Sequence, residues 1–312
     1  MNALTEKLNR SWQLFKRSVL VIREHPKLLI FPVVTGLLTT AIAMFFLAPV
    51  ALVLVAPNWV ADSKIQALAH SIGFLRFQQG GSFNFQVQPL GSAILGGIYL
   101  LNMFLATLSS VAFNHQIMEA LSGQPVFISR GIEAACARWK SVLLWSLLAG
   151  VVGLLIRALE ERLAFVGRLV TGFIGLAWSV AAIFAIPILA HDQTVSNPFA
   201  VLSKSAMTIK RTWGEMLAGY VGMGGTNVLV VLLSILFWAV TGTAACLLSN
   251  LWLLLITGVL WLLALIVYGY VASIASRVYL CALYLYASEG IIPGHYDAPM
   301  MSMGWKMKKG AG

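Results

Sequence analysis

Two apolar patterns alternate along this chain: a helical stripe with charges set off it, followed by an unbroken apolar block. The opening 24 residues show the stripe, with Leu4, Leu8, Trp12, Phe15, Val19 and Ile22 three or four apart and Lys7, Arg10, Gln13, Arg17 and Glu24 elsewhere. That spacing predicts an amphipathic helix. Such a helix lies in the membrane interface or packs under its own bundle, and the interfacial placement is the expected one. The block that follows, about 28–55, exceeds the roughly 20 helical residues needed to cross a hydrocarbon core. Pro32 stands near its entry and Pro49 deep inside, where a missing N–H predicts a kink.

Residues 57–89 form the longest connection. Ile65, Leu68, Ile72 and Leu75 keep helical spacing. The period then changes to alternation on both sides of Gln78-Gln79-Gly80-Gly81, which predicts a β-hairpin. Because a lone hairpin is marginal in water, this segment is expected to lean on the membrane, its preceding helix or a partner. Phe83, Phe85 and Val87 make the edge that a partner strand would meet.

Further spans are predicted at about 90–113, 141–156, 169–190, 216–240 and 251–273. A second stripe, Ile128, Ile132, Ala135 and Trp139, precedes the span at 141, and a third, Leu202, Ala206, Ile209 and Trp213, precedes the span at 216. Asn197-Pro198 supplies an N-cap and first-turn proline for the third stripe, and Pro187 is expected to bend or end the fourth span. Arg157, Glu160, Glu161 and Arg162 would be costly in hydrocarbon, so they belong at the far surface, pairing along a continuing helix. The largely apolar block at 251–287, 37 residues long, would reach about 55 Å against a core of roughly 30 Å. The helix is therefore expected to leave the bilayer near Arg277 and continue through Tyr279, Tyr284 and Tyr286. The tail from 291 reads as loosely ordered.

The predicted fold is an all-α integral membrane protein, with six transmembrane helices, cytoplasmic amphipathic interfacial helices and a small extracytoplasmic helix plus β-hairpin. Residues 1–295 form one membrane domain and 296–312 a basic cytoplasmic tail. The chain also divides into three similar units, 1–115, 116–191 and 192–295, each pairing a basic residue with a tryptophan near its surface helix: Arg10 and Trp12, Arg138 and Trp139, Arg211 and Trp213. Tryptophan prefers the headgroup level and arginine can snorkel there, so these six are the expected lipid-contacting residues.

Composition agrees. The chain is 59% hydrophobic and 10% charged, against about 25% charged in soluble domains. Its net charge of +10 is spread over the ends of apolar blocks, which suits anionic headgroups better than nucleic acid. Cys136, Cys246 and Cys281 have no paired spacing, so no disulfide framework is expected. A cleaved leader is not expected either, since 27 mostly amphipathic residues precede the first long apolar run.

With six spans, the side holding both termini carries Lys7, Arg10, Lys16, Arg17, Arg23, Lys27, Arg130, Arg138, Lys140, Lys204, Lys210, Arg211, Arg277, Lys306, Lys308 and Lys309. Only Lys64, Arg76, Arg157, Arg162 and Arg168 fall opposite. The positive-inside rule then makes the first side cytoplasmic.

The opening Arg10-Ser11-Trp12-Gln13-Leu14-Phe15-Lys16, with His25-Pro26-Lys27-Leu28-Leu29-Ile30-Phe31-Pro32, resembles a family of bacterial six-span membrane proteins catalogued as a domain of unknown function. The closing Tyr284-Leu285-Tyr286-Ala287 with Pro293 and Asp297 is similar to that family's C-terminal end. The resemblance implies the six-span fold and a bacterial inner membrane. It implies no site residues.

Candidate chemistry is sparse. His25, His115, His191 and His295 fall near one membrane face, yet none has a ligand spacing such as HExxH, so no metal or other cofactor is expected. His191-Asp192 is the most suggestive base pair, but neighbours on a helix point apart, and capping by Asp192 is the simpler role. Gly219, Gly222, Gly224 and Gly225 lack the strand, loop and lysine of a phosphate loop and read as close helix packing. Ionisable residues are missing from the spans, which argues against ion-coupled transport.

The expected function is therefore a non-enzymatic structural or accessory subunit that binds membrane lipids, a partner membrane protein or a second copy. The alternative is a passive carrier or channel for a lipid-like or apolar molecule, passing Asn102, Thr107 and Asn227.

Overall fold

The computed structural model describes residues 2–55, 89–163, 165–248, 250–294 and 296, and every regular element among them is helical. The predicted β-hairpin, with Phe83, Phe85 and Val87, lies outside the described residues. In chain order the elements are α1 (Asn2–Glu24), a 3-10 turn (Pro26–Leu29), α2 (Ile30–Val55), α3 (Pro89–Leu121), α4 (Ile128–Ala137), α5 (Trp139–Arg162), α6 (Phe165–Ala181), α7 (Ala185–His191), α8 (Pro198–Leu247) and α9 (Leu251–Glu289).

The breaks have local causes. Proline disfavours helical geometry in the residue before it, and His25, ahead of Pro26, sits at φ −122° and ψ 68°. The chain there bends by 101° between Gln13–Glu24 and Pro26–Ile42. Pro187 has no N–H and crowds the carbonyl four residues earlier, and the interruption between α6 and α7 falls at that point, residues 182–184. The Phe184 N–H freed by the interruption donates to Ser205 Oγ at 3.1 Å. Asn197 Oδ1 accepts from the Phe199 N–H at 2.9 Å and Asn250 Oδ1 from the Trp252 N–H at 3.1 Å, capping α8 and α9. Gly290, at φ +70°, takes the left-handed turn that ends α9.

Among the described residues five stretches are long and apolar enough to cross a membrane, Ala93–Leu121, Trp139–Arg162, Val170–His191, Val230–Leu247 and Leu254–Glu289, and the bent α1–α2 pair, taken as one span, brings the number to six. These helices divide into two zones. At one end Val21, Leu28, Ile117, Phe184, Ile188, Ile274 and Tyr284 are fully buried, and α1, α4 and α7 pack around the ends of α3, α8 and α9. Beyond this collar the side chains open outward: Leu37, Leu155, Phe173, Ile235 and Leu260 are each about 60% exposed or more. Such apolar surface is costly in water and expected in hydrocarbon.

Four expectations change. First, α3 does not stop at 113. It runs on to Leu121 because Ile117, Met118, Ala120 and Leu121 find buried positions in the collar. Second, the surface helix and span expected on either side of residue 215 are one continuous 50-residue helix, α8, with no proline after Pro198 to interrupt it. Third, α1 packs against α8 and α9. Its buried residues are Leu14, Ser18, Val21 and Ile22, with Phe15 and Val19 partly buried against the same core, so the face that packs on the bundle is turned from the stripe read in the sequence and shares Ile22 with it. Fourth, the tail is pinned as far as Tyr296, whose buried hydroxyl shares a 2.9 Å hydrogen bond with Ser18 Oγ. The kink expected at Pro49 does not break α2, which continues to Val55.

Candidate functional site

Around α4 and its two flanks charge and exposed apolar surface meet. Small residues allow this short helix a close approach to α3: a Cβ on Gly131 would stand 2.7 Å from Gln116 Cγ and 2.8 Å from the Ala112 carbonyl oxygen. Ala135, one turn on, is fully buried. Gln116 is buried as well, and its Oε1 accepts the Phe127 N–H at 2.7 Å, tying down the start of α4. With small residues inside, the bulky ones turn out: Phe127 is 39% exposed, Ile132 49% and Trp139 49%. Cations gather over them. Lys27 Nζ lies 5.2 Å and Arg130 Cζ 4.9 Å from the Phe127 ring centroid, and Lys140 Nζ lies 5.8 Å from that of Trp139, all within cation–π range.

The stripe predicted here is thus divided between two environments. Ala135 and, in part, Ile128 face the core, whereas Ile132 and Trp139 face outward. Gly131 and Gln116 were not singled out from the sequence, although the Gly131-x-x-x-Ala135 spacing is the small-residue signal of close helix contact.

Behind this face lies a polar cleft of ≈ 900 Å³ between the end of α3, the α4–α5 elbow and the α7–α8 linker, lined among others by His115, Glu119, Arg138, Lys140, His191 and Gln193. Arg138, predicted to meet lipid, is half-buried, and two of its donors are committed within the chain. Nη1 donates to the Leu189 carbonyl and Nη2 to the Val195 carbonyl, each at 2.6 Å. Burial pulls its pKa below the ordinary arginine value, with the Asp192 charge opposing. Asp192 accepts from Lys204 and from the Thr194 N–H (2.9 Å) and hydroxyl (2.6 Å). Burial pushes the Asp192 carboxyl up, but these donors outweigh it and hold the group at about 2, ionised at neutral pH.

His191 and Asp192 therefore go to different partners. His191 Nε2 lies 2.5 Å from Glu289 Oε1 and its ring meets Tyr284 edge-on at 6.1 Å. His115 and His191 share the cleft, His25 marks the α1–α2 bend, and His295 lies outside the described residues. Among the described residues no group of three or more His, Cys, Asp or Glu is placed to hold a metal.

The other predicted positions are dispersed. Asn102 donates to the Ile98 carbonyl at 3.1 Å and Thr107 to the Met103 carbonyl at 2.7 Å, so both turn back on α3. Five residues apart, they point about 140° from one another. The described backbone carries Arg10 and Trp12 on α1 and Arg211, Trp213 and Asn227 on α8, while their side chains lie outside the described residues. The glycine-rich 219–225 stretch sits within unbroken α8, not at a loop. At the far end of α5, Arg157 Nε and Glu161 Oε1 form the expected pair at 3.1 Å.

The fold and this surface define a class: among the described residues, an all-helical arrangement with five to six membrane-length helices and a packed collar at one end. A family model described as a family of unknown function, DUF6159, matches residues 89–294, and the chain belongs to that family. The match takes in α3 to α9, with Tyr284-Leu285-Tyr286-Ala287 and Pro293. The quoted opening motifs on α1 and α2 precede it. No curated protein and no solved structure matches the chain.

Proposed function

We propose that this is a non-enzymatic, multi-pass protein of a bacterial inner membrane, with both termini cytoplasmic, acting as a structural or accessory subunit. Its collar holds anionic lipid headgroups and, through them or beside them, a partner membrane protein or a second copy. The observation that carries this reading is the exposed surface at α4 and its two flanks, where Phe127 just before the helix, Ile132 on it and Trp139 at the start of α5 are exposed and Lys27, Arg130 and Lys140 stand over the two rings. Exposed aromatics and cations together fit the headgroup level of a bilayer, and the packed collar beneath gives them a fixed platform. The excess of basic residues on this side supports the cytoplasmic orientation.

The test is lipid composition around the intact protein. In nanodiscs formed from equal amounts of phosphatidylglycerol and phosphatidylcholine, the protein is expected to retain an excess of the anionic lipid after detergent extraction. Replacing Lys27, Arg130 and Lys140 together by Gln should remove about 1 kcal/mol of that preference per cation at low salt. Equal retention of the two lipids by the native protein would contradict the proposal.

A further inference from the structure

Among the described residues a second concavity lies between α6 and α8, on the opposite side of the α6–α7 interruption from the collar core. Its volume is ≈ 660 Å³, within the roughly 300–1,000 Å³ of ligand pockets. Phe173, Leu176, Ala177 and Val180 form one wall and Ile209 and Lys210 belong to the other. Phe184 and Ser205 tie the two helices together at 3.1 Å, so the groove starts just beyond that tie and runs along α6 away from the collar. Leu176 is 61% and Phe173 70% exposed, leaving the groove open to the side, where lipid would be.

Among the described residues Lys210 is the single ionisable one of the lining. It lies five residues past Ser205, about 7–8 Å along the helix, and among the described residues no carboxylate is paired with it. A groove that is apolar along its length and cationic at one point matches a molecule built the same way. We infer that the α6–α8 groove is a binding site for one anionic phospholipid, with an acyl chain along Phe173, Leu176 and Ala177 and the phosphate on Lys210. This deepens, and rests on, the lipid-holding role proposed above. It adds a site of defined stoichiometry to a surface that otherwise recruits lipid by charge. A zwitterionic lipid would offer the same chain but would hold its phosphate against its own cation, so the lysine selects the anionic class.

The experiment uses the whole protein in nanodiscs of phosphatidylcholine containing one-fifth phosphatidylglycerol that carries a photoactivatable diazirine on one acyl chain. After illumination, crosslinked peptides are mapped by mass spectrometry. Labelling is expected to concentrate on residues 173–180 and 206–210, well above that on the exposed Leu255, Ile256 and Val259 face of α9. Lys210→Gln should reduce groove labelling about fivefold. Ala177→Trp, which fills the groove and keeps the lysine, should abolish it. Groove labelling no higher than that of the α9 face would overturn the inference, as would labelling unchanged in both variants or crosslinks to a second copy in place of lipid. Should groove labelling fail while the Lys27, Arg130 and Lys140 variant still loses anionic enrichment, the collar role stands and the groove site falls. Should both fail, the lipid-holding role falls with it.

Discussion

Gly131→Ala is expected to destabilise the protein, although alanine is the better helix former. In an open helix the exchange gains about 0.5–1 kcal/mol. At Gly131 the new methyl would meet Gln116 Cγ at 2.7 Å, the Ala112 carbonyl oxygen at 2.8 Å and Phe31 Cζ at 3.2 Å. The glutamine cannot simply withdraw, because its Oε1 holds the Phe127 N–H, and the carbonyl belongs to α3 itself. Forcing α4 outward would cost about 1–3 kcal/mol and would tilt the face that carries Phe127 and Ile132. Gly131→Val should cost more. Gly36→Ala is the control, since nothing lies within 4 Å of a Cβ there, and it should be neutral or stabilising. Thermal unfolding in one detergent, followed by the intrinsic tryptophan fluorescence of the whole chain, compares the three. A Gly131→Ala midpoint equal to or above the native one would show that α4 does not pack as described.

Arg138→Met is the second large effect. The methionine keeps an apolar stem of similar reach but leaves the Leu189 and Val195 carbonyls without the guanidinium that bridges them. Hydrogen bonds to charged groups contribute about 1.5–3 kcal/mol each, and partial access of water reduces the sum, so a loss of roughly 2–4 kcal/mol is expected. Arg138→Lys should recover less than half, since an ammonium cannot span two carbonyls with the fixed fork of arginine. Hydrogen exchange localises the effect: protection should fall across residues 189–196 in both variants and remain unchanged in α2. A stability change under about 0.5 kcal/mol in Arg138→Met would remove the clamp from the description of the cleft.

These two residues show where sequence reasoning reached and where it stopped. Membrane-length helices, the interruption near Pro187, the Asn197 cap and the Arg157–Glu161 pair were all legible, because each follows from hydropathy or local backbone chemistry, whereas the sharp bend at His25-Pro26 was not read. The partner of each apolar stripe was not. Lipid tails and protein cores are equally apolar, so periodicity in α1 announced a buried face without saying that α8 and α9 cover it. Charge left a related gap: Arg138 beside Trp139 reads as a headgroup contact, and nothing local announces that two of its donors reach carbonyls 51 and 57 residues along the chain. Such long-range contacts leave no local pattern. The extension of α3 to Leu121 was hidden for the opposite reason, since the polar run Asn114-His115-Gln116 resembles an exit from the membrane. In the fold Asn114 accepts from Cys281 Sγ at 2.9 Å and Gln116 caps α4.

The central claim is that the basic collar lies on the cytoplasmic face and the charged end of α5 on the other. Cys136 is exposed on α4 and Cys281 is buried, while Arg157 stands at the opposite end of α5, with its side chain 78% exposed. Its surface ion pair contributes little, so Arg157→Cys should be tolerated in a chain carrying Cys136→Ser, and Cys246→Ser is carried in both tested chains because Cys246 is exposed as well. A membrane-impermeant maleimide should label native Cys136 in inverted inner-membrane vesicles but not in spheroplasts, and should label the introduced thiol at 157 in spheroplasts. Labelling of Cys136 from outside, or of both positions from one side, would contradict the orientation and with it the placement of the lipid-binding collar.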